Sequence, residues 1–189
     1  MPTRAEALAL VHEHTQSESL RKHMLAVEAA TRAYARRFGE DEERWGLAGL
    51  LHDFDYERWP NAERSPTAEH PSEGVRLLRA AGYPEDVLDA ILGHAAYTGV
   101  PRTTPMARTL FAVDELTGLI TATALVKPSR SLSDVDPAGV RKKMKDKAFA
   151  RGVSREDVTQ GAAELGVDLD EHIAFVIDAM RAESEALGL

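Results

Sequence analysis

The chain has 189 residues, a formal net charge of −8 and no cysteine. That length suits one domain, able to bury about 70% of its unfolded surface without covalent staples. The lack of cysteine excludes a disulfide scaffold, a thiolate nucleophile and a sulfur-ligated zinc site, so any metal must rest on imidazole and carboxylate. The negative charge argues against stable nucleic-acid binding. No apolar run approaches the roughly 18 residues of a membrane span. Met1-Pro2-Thr3-Arg4 carries no signal-peptide core, so a protein of the cytoplasm, away from membranes, is expected.

Helical periodicity dominates the chain and strand alternation is nearly absent. A first helix is predicted from about Arg4 to His14, striped by Ala5, Leu8, Leu10 and Val11. A long second helix from about Ser17 to Phe38 carries Leu20, Met24, Val27 and Ala30 at helical spacing and stops at Gly39. Asp41 caps a third helix that ends near His52-Asp53. The stretch from Phe54 to Thr67 is predicted irregular, broken by Pro60 and Pro66. Helices then follow over about Ser72 to Ala81 and from Pro84 to about His94. After a loop from Tyr97 to Thr104, the most apolar helix runs from about Pro105 to Leu125. Three more are predicted: Pro137 to about Phe149, Arg155 to Leu165, and Asp170 to Leu187. The chain reads as one all-α domain of nine or ten helices, without repeats or linkers.

Charge is unevenly spread along this order. Between Lys127 and Arg155 nine Lys or Arg face three acids, and five of the six lysines lie there. Two readings stand side by side: a solvated helix face, or a basic rim that attracts an anionic substrate.

The stretch Gly49-Leu50-Leu51-His52-Asp53-Phe54-Asp55 sets two metal-competent side chains at the end of an apolar segment. A carboxylate in such a place is costly unless paired, hydrogen-bonded or coordinated. Asp114 poses the same question inside Leu110-Phe111-Ala112-Val113-Asp114-Glu115-Leu116, with no Lys or Arg three or four residues away. His23 borders the apolar stripe of the second helix, His70 precedes Pro71 at a helix entrance, and His94 closes another helix. Each histidine alone fits a satisfied core or surface residue. His12, His14 and His172 lie near amphipathic termini and are expected to be structural or exposed.

The ordered set His23, His52-Asp53, His70, His94, Asp114 resembles the HD superfamily of metal-dependent phosphohydrolases, over roughly Leu20 to Leu119. The resemblance implies an all-α, HD-domain-like bundle with a metal-site core at about 20–120 and a basic helical extension at about 127–189. It makes His23, His52, Asp53 and Asp114 ligands of one ion. Where His70 and His94 are also present it implies a second ion, with Asp53 bridging and His52, Asp53, His70 and His94 at the reaction centre. One or two divalent ions, Fe, Mn, Zn, Ni or Mg, suit such a donor set. Two ions could clamp a phosphoryl oxygen of a small phosphorylated substrate, such as a nucleotide. Arg58, Arg102 and Lys127 are candidate phosphate contacts.

The segment Leu125-Val126-Lys127-Pro128-Ser129-Arg130-Ser131-Leu132, followed by Lys142-Lys143-Met144-Lys145-Asp146-Lys147-Ala148-Phe149, is similar to the tail of a group of small bacterial HD proteins. Gly82-Tyr83-Pro84 spells the HD-GYP triplet without that subfamily's preceding residues, and a helix-stop glycine before a helix-start proline explains it. The chain also has Phe54-Asp55 where Ile-Gly often follows the His-Asp pair, which leaves the substrate open. Two alternatives share the fold: a diiron oxygenase and a non-catalytic module that senses a nucleotide.

Overall fold

Ten α-helices and two short 3-10 turns form the regular structure of the computed structural model, which describes Met1–Leu189 and has no strand. Local chemistry sets most of the boundaries. α1 (Arg4–His14) starts from a capping box in which the Thr3 side chain accepts from the Glu6 N–H and the Glu6 carboxylate accepts from the Thr3 N–H. α2 (Glu18–Phe38) is capped by Ser17 and stops at Gly39, whose φ of 71° lies in the left-handed region. α3 (Glu42–Leu51) takes its cap from Asp41. α4 (Ser72–Ala80) and α5 (Glu85–His94) follow, then α6 (Pro105–Leu125), which opens with Thr104 as cap and proline at its first position. α7 (Pro137–Lys145), α8 (Arg155–Leu165), α9 (Leu169–Ala182) and α10 (Ser184–Leu187) complete the bundle.

One cluster of 38 buried apolar residues runs from Ala7 to Leu187, so both ends of the chain share a core. α6 lies at its centre, packed against α2, α5, α8 and α9. α2 packs closely against α3 along its other side. That approach depends on Gly49, where a Cβ would lie 2.5 Å from the Thr31 hydroxyl oxygen and 2.9 Å from the Glu28 backbone. Any side chain there would force the helices apart and carry the end of α3 away from α2. No helix is long and apolar enough to cross a membrane.

Two boundaries differ from the periodicity reading. The basic helix expected to reach Phe149 ends at Lys145, and residues 146–153 form turns. The Arg155 guanidinium gathers those turns by donating to the carbonyls of Asp146, Phe149, Ala150 and Val153, a set of side-chain bonds that overrides helix propensity in the residues just before it. The last helix breaks at Glu183 into α9 and α10.

The irregular segment after α3 is tied down by specific bonds. The Glu69 carboxylate accepts from the N–H groups of Glu63 (3.1 Å) and Ser65 (2.9 Å), and the His70 N–H donates to the Trp59 carbonyl at 2.7 Å. His172 is structural, as expected: it is fully buried, with the Tyr34 hydroxyl 2.6 Å from Nδ1 and the Ala112 carbonyl 3.0 Å from Nε2.

Candidate metal centre

Four helices and one loop bring six metal-competent side chains together, and all but the buried His52 line one cavity. His23 comes from the first half of α2, His52 from the residue that ends α3, and Asp53 from the next position. His70 lies just before α4, His94 is the last residue of α5, and Asp114 sits midway along α6. The close α2–α3 packing brings His52 Nε2 within 3.3 Å of His23 Nε2. α6 adds Asp114, whose Oδ1 is 3.0 Å from His23 Nε2 and 3.4 Å from His52 Nε2. His70 and His94 form the second group, with their Nε2 atoms 3.3 Å apart. Two sets of ligand atoms result, His23/His52/Asp114 and Asp53/His70/His94, each compact enough to surround one ion.

Asp53 lies between the two sets. Its Oδ2 is 3.5 Å from His52 Nε2 and 3.8 Å from His23 Nε2. Its Oδ1 faces the other way, 3.3 Å from His70 Nε2 and 3.6 Å from His94 Nε2.

The hydrogen bonds behind the rings decide what their inner atoms can do. His52 Nδ1 is 2.8 Å from the Gly49 carbonyl, His94 Nδ1 meets the Ile91 carbonyl, and His70 Nδ1 is 2.7 Å from Asp55 Oδ1. Each of those partners is an acceptor, so each Nδ1 must carry hydrogen. In the neutral ring the lone pair is then on Nε2, aimed inward. Lone pairs from His70 and His94 therefore face each other across 3.3 Å, beside the Asp53 carboxylate. Such a cluster needs positive charge at its centre. A divalent ion supplies it, and the all-nitrogen-and-oxygen donor set fits one or two such ions.

Without an ion, protons answer the same demand. Burial opposes the charged form of His52, yet the carboxylates of Asp53 and Asp114 outweigh it and push its pKa up to about 9. Burial likewise opposes ionisation of Asp53, but the imidazoles of His52, His94 and His70 hold its carboxyl well below the usual range. Asp114 is held low against burial by His52 and His23.

Asp55 had no role in the motif reading, where Phe54-Asp55 figured only as a departure from Ile-Gly. Its side chain is 1% exposed and fully used: Oδ1 accepts from His70 Nδ1, and Oδ2 accepts from the Gly74 N–H at 2.7 Å. Gly74 permits this approach, because a Cβ there would lie 2.6 Å from the Asp55 carboxyl carbon. Asp55 was less conspicuous in the sequence than Asp114, because it lies among polar residues with Arg58 three positions on, a local cation that Asp114 lacks. Tyr97 supports the same histidine, its hydroxyl donating to the His70 carbonyl at 2.5 Å.

The ligands open into a cavity of about 720 Å³. Tyr56, Asn61, Arg64 and Tyr97 form one wall, and Glu115, Gly152, Val153, Ser154 and Asp157 the other. Glu115 accepts from the Ser154 N–H at 3.0 Å. Burial, reinforced by the charges of Asp114 and Asp157, raises its pKa to about 7.

The three proposed phosphate contacts lie outside this lining. Arg58 donates to the Glu13 carbonyl at 2.9 Å. Arg102 makes two 2.7 Å bonds to Glu164 and stacks 3.7 Å over the Phe111 ring. Lys127 lies just beyond the end of α6. Of the basic segment, Gly152 to Ser154 reach the cavity, while Arg141 pairs with Asp170 and Lys143 sits over Phe149. Arg64 is the one Lys or Arg in the lining, and nothing in its local sequence marked it.

The family model described as HD domain matches residues 20–119, just over half of the chain. No curated protein and no solved structure matches.

Proposed function

The chain belongs to the HD-domain family, a superfamily of metal-dependent phosphohydrolases, and from that premise we propose that it hydrolyses a small phosphate ester at a two-ion His/Asp centre. The observation that carries this reading is the division of Asp53, whose two oxygens face two separate ligand sets. His23, His52, Asp114 and Asp53 Oδ2 would hold one ion, and His70, His94 and Asp53 Oδ1 the other. Bound ions would supply Lewis-acid polarisation of the phosphoryl group and an activated water.

The protein's own contribution is placement and charge. The Nδ1 bonds to Gly49, Ile91 and Asp55 fix the tautomer of three rings, so that each neutral ring presents its Nε2 lone pair inward to an ion. Arg64 and Asn61, held over the cavity by the Glu69-anchored loop, are donors for phosphate oxygens. Glu115, in the cavity lining, would supply the carboxyl group that passes a proton to the departing oxygen.

Metal analysis of the purified protein, paired with phosphate release from a panel of phosphate esters and nucleotides, tests this reading. Bound divalent ions and ion-dependent release are expected. Ion-free protein that stays inert with added Mn, Co and Mg would overturn it.

A further inference from the structure

The metal cavity has a second compartment. A groove of about 550 Å³ shares His23 and Gly118 with the metal cavity, so the two meet at those residues. It runs on along α6, where Asp114, Gly118, Ala122 and Leu125 recur on one helical face. Asp114 and Leu125 are eleven residues apart, about 16 Å of helix. Ala122, Leu125, Leu187 and Leu189 make most of the exposed lining of this compartment apolar, with Glu18 and Lys22 paired with each other at 3.0 Å on its α2 side, whereas most of the exposed lining of the metal cavity is polar. Leu125 at the far end is 49% exposed, and Val126 next to it 57%.

Gly118 is the junction, and packing does not require it. A Cβ there would meet nothing closer than a Val153 methyl at 3.6 Å, an ordinary contact. A glycine inside a helix costs about 1 kcal/mol relative to alanine. What the missing side chain provides is an open passage from the ligands into the groove.

We propose that this groove is the subsite for the organic group of the substrate, which makes the substrate a phosphate ester carrying an elongated apolar group. The assignment rests on the phosphohydrolase reading for the phosphate end. The phosphate would sit at the ion centre, and the apolar group would pass over Gly118 to lie against Ala122 and Leu125.

Calorimetric titration of the Mn-loaded protein with methylphosphonate and dodecylphosphonate, the latter below its micellar concentration, tests the groove without turnover, since only a chain of that length spans the roughly 16 Å of helix from Asp114 to Leu125. Each buried methylene favours binding by roughly fourfold, so dodecylphosphonate should bind about a hundredfold or more tightly than methylphosphonate. Gly118→Leu fills the passage and should bring that preference down towards unity. Leu125→Gln, on the surface and safe for folding, should reduce it in the same direction. A wild-type preference under about a hundredfold, or one that both substitutions leave unmoved, overturns the subsite. Phosphate release from phenyl phosphate, run in parallel, judges the hydrolase reading separately. A dodecyl preference without turnover would keep the groove and remove the reaction.

Discussion

Asp55 offers the sharpest way to separate the two ligand sets. It touches no ligand atom on the inner side, yet its carboxylate holds His70 through a 2.7 Å bond to Nδ1 and caps the Gly74 N–H with its other oxygen. Asp55→Asn keeps the shape and replaces one acceptor with a donor. The new amide must then face either the His70 Nδ1–H or the Gly74 N–H, leaving a buried donor unpaired at about 1–3 kcal/mol. If His70 escapes by changing tautomer, its Nε2 gains a hydrogen and no longer presents a lone pair inward. Outer partners of this kind are worth roughly 10–100-fold in metal affinity. The loss should fall on the Asp53/His70/His94 set and spare His23/His52/Asp114, which Asp55 does not contact. Titration of chelator-treated protein should therefore show two binding events in the wild type, of which the Asp55→Asn variant retains one unchanged and weakens the other. Two events of unaltered affinity, or equal weakening of both, would refute the reasoning.

Three further outcomes follow from the same geometry. Asp53→Ala removes the carboxylate shared by both sets and should empty both sites, read by metal content, while His12→Ala, on the exposed side of α1, should leave both filled. In ion-free protein the folded pKa of His52 is raised to about 9 from an unfolded value near 6.5. Its contribution to stability is thus complete below about pH 6.5 and lost as pH rises through about 9. Melting temperature of the chelated protein should fall across that window, and a flat profile would contradict the assignment. Arg102→Ala breaks the bidentate bond to Glu164 and the stack on Phe111. It should lower the melting temperature while leaving KM near its wild-type value, whereas a large rise in KM would return Arg102 to the substrate.

The parts legible in the sequence are those that local physics determines. Caps at Ser17, Asp41 and Thr104, and the stop at Gly39, lie within a few residues of the helices they bound, so periodicity and punctuation located α2, α3 and α6 closely. The six candidate ligands were legible as an ordered set that resembles the HD family: His52-Asp53 and Asp114 stood out as polar groups in apolar segments, while His23, His70 and His94 each fitted a core or surface residue when taken alone. Arg64 and the early end of α7 were not legible. Arg64 reaches the cavity through a loop whose course is set by Glu69 and by His70 bonding back to Trp59. The turns after Lys145 exist because Arg155 collects four carbonyls from the preceding stretch. The partners are near in sequence, yet periodicity and turn propensity do not say which donor meets which acceptor.

The two ligand sets also differ in how the fold supports them. His23, His52 and Asp114 stand on α2, α3 and α6, whose backbones meet in the core, and Gly49 sets the spacing of the first two. Their geometry is therefore established by the same packing that folds the protein. His70 and His94 stand at a loop exit and a helix end, and rely on Asp55, Tyr97 and the Ile91 carbonyl for orientation. Disturbing those few bonds costs far less than unpacking three helices. The His70/His94 side is accordingly the adjustable half of the centre. It also adjoins the Tyr56, Asn61 and Arg64 wall, so loop changes that alter phosphate recognition would act on the second ion before the first.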